Sequence, residues 1–117
     1  MARGITAEQK RKIADLHKAN PDEMGPALGD LVYKNNIPPS CVAAILEVTE
    51  PTVYRWFYLT AYPQPTYHKE IRGLIAILRK AEKARELPLI GTFDKRASLL
   101  GALIRKYRTP VPTTTTK

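Results

Sequence analysis

The chain is poor in the residues that most often carry chemistry. Cys41 is its only cysteine, so no disulfide can close within it and no cysteine-rich zinc site can form. His17 and His68 are its only histidines and have no ligand spacing, so no metal site is expected. No apolar run approaches the ~18 residues that suggest a membrane-spanning helix. The N-terminal Met1-Ala2-Arg3-Gly4-Ile5 leads straight into charged residues, unlike a signal peptide, and a cytoplasmic location is expected. There is no internal repeat, no strand-like period-two alternation, no phosphate-cradling glycine loop and no Ser/His/Asp order. Glu47 and Glu50 lie on or beside a tight turn, a poor setting for an acid–base pair. The expectation is a protein that is not an enzyme and needs no cofactor. Cys41 reads as a small apolar filler near a helix start.

Acidic residues are also scarce: 11 against 19 lysines and arginines, for a net charge of +8 in 117 residues. That length allows one domain with a modest core. Such a basic balance points to a polyanion, nucleic acid before an acidic membrane surface. The charge is unevenly placed. Residues 1–65 hold seven basic and seven acidic side chains, whereas residues 66–108 hold eleven basic and four acidic ones.

Thr6-Ala7-Glu8-Gln9 is a capping box, and Ile5 before it can staple the entry to a first helix. Ile13 and Leu16 face the core there, while Lys10, Arg11, Lys12 and Lys18 are outward and read as a solvated face. Asn20-Pro21 ends this helix. A second helix runs from Asp22 or Gly25 to Lys34, weakened by Gly25, Pro26 and Gly29. Asn35-Asn36-Ile37-Pro38-Pro39 forms a turn, and Tyr62-Pro63-Gln64-Pro65 breaks the chain again. The longest helix spans Thr66 to Leu87. Ile71, Leu74, Ile75, Leu78 and Ala81 form its apolar stripe; Lys69, Arg72, Arg79, Lys80 and Lys83 fall within an arc of ~100° on the far side. That stripe is either a solvated face or a phosphate-binding one. A last helix, from Thr92 to Tyr107, presents Phe93, Ala97, Leu100, Leu103, Ile104 and Tyr107 on one side. The tail from Thr109 to Lys117 cannot pack a core and is expected to be disordered.

Between these lies the stretch Pro39–Leu59, which reads as two short helices and a tight turn. Ser40 can cap the first, whose apolar positions are Val42, Ala43, Ile45 and Leu46. Thr49 can cap the second, its hydroxyl accepting from the Thr52 N–H, with Glu50 and Pro51 in the first turn. Val53, Trp56, Phe57 and Thr60 gather on one face of this second helix. Pro51, Arg55 and Tyr58 gather on the other, flanked by Thr52 and Tyr54.

The phrase Val48-Thr49-x-x-Thr52-Val53-Tyr54-Arg55-Trp56 resembles the turn and recognition helix of helix-turn-helix regulators from phages and bacteria. The resemblance covers roughly 20 of the 117 residues. Glu47 occupies the turn position where that family usually has glycine, which implies a left-handed residue costing about 1–2 kcal/mol. The resemblance implies a second helix lying in the DNA major groove. Pro51, Thr52, Tyr54, Arg55 and Tyr58 would then face base edges. Thr49 and the stripe Lys69, Arg72, Arg79, Lys80 and Lys83 would face the backbone.

The expected architecture is an all-α domain of about five helices. Residues 1–65 carry the helix-turn-helix, and residues 66–108 form a basic helical hairpin packed on it. The expected partner is double-stranded DNA, bound by a small transcription regulator acting as a homodimer or higher oligomer, in the host cytoplasm if a phage encodes it. Two alternatives stay open: an oligomeric DNA-packaging component similar to small terminase subunits, and an interaction protein whose basic helices grip an acidic partner such as a polymerase. A membrane partner is not expected.

Overall fold

Helix ends dictate this structure. The computed structural model describes residues 6–108 and contains six helices and no strand among them. They are α1 (Ala7–Ala19), α2 (Met24–Lys34), α3 (Pro39–Leu46), α4 (Glu50–Phe57), α5 (Pro65–Lys83) and α6 (Phe93–Arg108). The expected count of about five is thus exceeded. The six correspond one for one to the six helical segments read from the sequence, so the expected total undercounts them. The Ile5 staple and the tail from Thr109 lie outside the described residues.

The start of α1 matches its sequence: the Thr6 hydroxyl accepts from the Gln9 N–H at 3.0 Å, and the Gln9 side chain accepts from the Thr6 N–H at 3.0 Å. Two other expected capping hydrogen bonds are absent, although Thr49 is the N-cap of α4 as expected. The N-cap of α3 is Pro38, and Ser40 lies inside the first turn, because Pro39 already supplies a fixed helical φ one residue earlier. At α4, the Thr52 N–H donates to the Thr49 carbonyl at 3.1 Å, while the two threonine hydroxyls pair with each other at 2.8 Å.

Helices α2 to α5 all end in the same way. Asn36, Glu47, Leu59 and Arg85 take φ values of 60°, 59°, 59° and 64°. In each case the next residue's N–H reaches back to the carbonyl five residues earlier: Ile37 to Val32, Val48 to Ala43, Thr60 to Arg55 and Glu86 to Ala81. These are Schellman closures, which usually place glycine at the left-handed position. The chain uses four side-chain-bearing residues there, each costing about 1–2 kcal/mol. The closures explain two departures from the periodicity: α5 stops at Lys83 because Arg85 turns left-handed, and Thr60, past the end of α4, is exposed instead of joining the core.

α2 is the central element. Gly25 to Gly29 and Leu31 to Tyr33 are buried along it, and it packs against α1, α4 and α5. Gly25 lies against the backbone of Trp56 and Gly29 against the ring of Phe57, so α4 sits almost on the α2 main chain. Ile13 from α1, Val53, Trp56 and Phe57 from α4, and Ile71, Leu74 and Leu78 from α5 complete this core. The Tyr33 and Phe57 rings meet edge to face, with centroids 5.6 Å apart. α6 packs along α5 through Leu100, Leu103 and Ile104. Phe93, expected in that apolar row, is about half exposed, because it opens the helix beyond the end of the α5 contact.

Long-range amide contacts fix the α5–α6 connector. The Leu89 N–H donates to the Asn35 carbonyl at 2.9 Å, and Asn36 Nδ2 donates to the Leu89 carbonyl at 2.9 Å. Asn35, buried, also donates from Nδ2 to Glu82 Oε2 at 2.8 Å and to the Leu31 carbonyl at 2.9 Å. Lys34 reaches the same Glu82 carboxylate at 3.4 Å. The end of α2 therefore holds both the last turn of α5 and the entry to α6.

Candidate nucleic-acid interface

α4 divides cleanly into two faces. Val53, Trp56 and Phe57 are buried, while Glu50, Pro51, Tyr54 and Arg55 are exposed. The division follows from helical spacing, with Trp56 and Phe57 meeting the two glycines of α2. The Arg55 guanidinium joins no ion pair among the described residues. Glu50, one turn away, instead accepts from the Tyr54 hydroxyl at 3.0 Å.

The other members of the expected base-reading set are differently placed. Thr52 is half-buried, and its hydroxyl is engaged with that of Thr49. Tyr58 is half-buried too: its hydroxyl lies 3.4 Å from that of Tyr33, and Lys12 Nζ stands 5.7 Å from its ring centroid. Burial first, and the Tyr58 hydroxyl second, push the Tyr33 phenol well above its ordinary pKa, so it stays neutral. Pro51, Tyr54 and Arg55 are thus the exposed members of that set.

The outer face of α4 opens into a concavity shared with α1. Tyr54, Arg55 and Tyr58 line it from α4, and Glu8, Gln9 and Lys12 line it from α1. Of the exposed run Lys10-Arg11-Lys12, Lys12 therefore belongs to the neighbourhood of Arg55. The composition of that run alone reads as a solvated face; only the α1–α2–α4 packing reveals where Lys12 sits.

The five basic residues of α5 are all exposed, and none joins an ion pair among the described residues. They do not line the concavity that holds Arg55. Lys69 and Lys80 border a cleft of about 620 Å³, with Glu47 at the end of α3 and Arg108 at the end of α6. Arg72 and Arg79 border the Pro21–Glu23 turn instead. Arg79, Lys80 and Lys83 lie together near the end of the helix. The acids closest in sequence are already engaged: Glu82 by Lys34 and Asn35, and Glu70 by Arg108 at 4.0 Å. Acids nonetheless border the stripe: Asp22 and Glu23 share a cleft with Arg72 and Arg79, and Glu47 and Glu70 share one with Lys69 and Lys80.

Cys41 is half-buried, and burial raises its thiol pKa, with Arg96 and the Ser40 hydroxyl opposing, which disfavours the thiolate. No cluster of three or more metal-ligating side chains exists among the described residues, nor any helix long and apolar enough to cross a membrane. Compared with known protein families, curated proteins and solved structures, the chain matches none.

Proposed function

We propose that this protein binds double-stranded DNA through a helix-turn-helix formed by α3, the left-handed Glu47 turn and α4, and acts as a small transcription regulator of the phage or bacterial kind. The observation that carries the reading is the outer face of α4: Arg55 is exposed and unpaired beside Pro51 and Tyr54, on a helix anchored from behind by Val53, Trp56 and Phe57. A rigid helix with a free guanidinium fork suits the major groove, where arginine donates twice to guanine O6 and N7. Lys12 on α1 lines the same concavity and supplies a phosphate contact. Thr49, exposed at the start of α4, offers one more through its hydroxyl.

Arg55→Ala is the direct test. Fluorescence anisotropy on a site selected from random DNA, and on unrelated DNA of equal length, should show a loss of preference worth about 1–3 kcal/mol. Residual, salt-sensitive binding should remain. Circular dichroism should be unchanged, since the side chain points away from the core. Equal weakening on both DNAs would move Arg55 to the backbone. No affinity of the wild-type chain at low salt would remove the DNA reading altogether.

The α5 stripe makes a separate prediction. If Arg79 and Lys80 contact phosphates, replacing both with glutamine should weaken binding to every sequence alike. The slope of log K against log salt should become shallower by about 0.9 for each phosphate no longer neutralised. An unchanged slope would leave the stripe a solvated face, with α1 as the source of the backbone contacts.

A further inference from the structure

Glu50 is the only acid on α4, it is exposed, and its carboxylate is held in place. Tyr54, one turn on, donates its hydroxyl to Glu50 Oε2 at 3.0 Å. The Tyr54 ring is itself braced: it meets the ring of Phe57 edge to face, with centroids 6.4 Å apart, and Phe57 is fully buried. Pro51, with its locked φ, fixes the backbone immediately after Glu50. A line of contacts therefore runs from the core through Phe57 and Tyr54 to a carboxylate at the start of the helix. Glu50 joins no ion pair among the described residues. Favourable charge at a helix start accounts for an acid here but does not require the tyrosine. A carboxylate accepts at both oxygens, so with Oε2 engaged by Tyr54, Oε1 is left to meet a donor.

The chemistry of DNA narrows what that donor is. Phosphates offer acceptors alone and repel a carboxylate. In the major groove guanine shows two acceptors, thymine an acceptor and a methyl group, and adenine a donor beside an acceptor. Cytosine alone shows a donor, its N4 amino group, with no acceptor of its own beside it. Resting on the reading that α4 lies in the major groove, we propose that Glu50 is a specificity-determining residue. Its carboxylate accepts from cytosine N4, at a base pair other than the one Arg55 reads, and Tyr54 is the positioning residue that holds it. The outer side of α4 then carries one donor fork and one acceptor, and the preferred DNA presents a guanine edge to the first and a cytosine edge to the second. A carboxylate set against any other base meets an acceptor or a methyl group.

The test is selection from a random DNA library with the full chain, followed by anisotropy on duplexes that differ at single positions. The wild type should favour cytosine at one position by about fivefold or more, the lower end of what a well-placed side chain supplies. Glu50→Gln should move that one preference to adenine, because a carboxamide pairs with adenine N6 and N7, and should leave the rest of the selected site as it was. Glu50→Ala should leave no preference at that position. Tyr54→Phe should keep cytosine as the preferred base but narrow its advantage by about threefold, the effect of losing one hydrogen bond. Its helical content and its affinity for unrelated DNA should be unchanged, which a loss of folding would not allow. The proposal is overturned if Glu50→Gln selects the wild-type site, since Glu50 then serves only the helix start. It is equally overturned if the Glu50 variants tighten binding to every DNA alike, since the carboxylate then only repels phosphate. A wild-type chain whose selected site answers to Arg55 but nowhere to Glu50 sinks this inference and leaves the DNA reading standing; a chain that selects no site sinks both.

Discussion

Trp56→Ala should lower the free energy of unfolding by about 3–5 kcal/mol, the usual cost of truncating a buried aromatic. Trp56 is 4% exposed and its ring meets that of Tyr67 at a centroid distance of 5.3 Å, so the substitution empties the space between α4 and the first turn of α5. The aromatic pair adds about 0.5–1.5 kcal/mol to what burial alone supplies. For a domain of this size a loss of that order is a large part of the total stability. Urea unfolding followed by circular dichroism measures it. At a temperature where the variant is still folded, DNA affinity should be close to that of the wild type. A small stability loss with a large loss of affinity would instead make Trp56 a base-stacking residue.

Much of the helical framework was legible because local rules write it. The Thr6–Gln9 box, the breaks at Asn20-Pro21 and at Tyr62 to Pro65, and the split of α4 into buried and exposed faces all lie within a turn or two of sequence. The resemblance to helix-turn-helix regulators puts Glu47 at a left-handed turn position, and its φ of 59° agrees. What stayed hidden depends on residues distant in the chain. Nothing near Asn36 announces that its amide will hold Leu89, 53 positions later, or that Arg96 will reach the Asn36 carbonyl at 3.0 Å. The left-handed Arg85 was hidden for another reason: arginine is a good helix former, and propensity extends α5 through it.

The candidate site was legible as residue types but not as a surface. Periodicity separates Arg55 from Trp56, and it gathers the five basic residues of α5 into one arc. It cannot say how the two arcs are related. α2 decides that, by packing against α1, α4 and α5. The result joins Arg55 to Lys12 in one concavity and leaves Arg72 and Arg79 beside the Pro21–Glu23 turn. The mechanical consequence is that the position of α4 depends on its packing against α2, at a crossing built on glycine.

Gly25→Ala tests that crossing, and the expected result is a destabilisation of about 2–3 kcal/mol or more. In an exposed helix interior the same change stabilises by up to ~1 kcal/mol, because alanine is the better helix former. Here an added Cβ would stand 2.1 Å from the Trp56 carbonyl oxygen and 2.8 Å from its carbonyl carbon. These are backbone atoms, which cannot rotate aside as a side-chain tip can, so α4 has to shift away from α2. Overpacking of this kind typically costs ~1–3 kcal/mol and occasionally more, which outweighs the propensity gain. A Cβ on Gly29, four residues on, would stand 2.9 Å from Cγ of the Phe57 ring, so the close approach extends to the next turn. Gly73 on α5 is the control: a Cβ there meets nothing within 4 Å, so Gly73→Ala should be neutral or stabilising. Because α4 is the element that moves, Gly25→Ala should also weaken DNA binding under conditions where the chain stays folded, without Arg55 being touched. A Gly25→Ala protein as stable as the wild type would mean that α2 and α4 do not approach at Trp56, and the backing of the proposed recognition helix would have to be sought elsewhere.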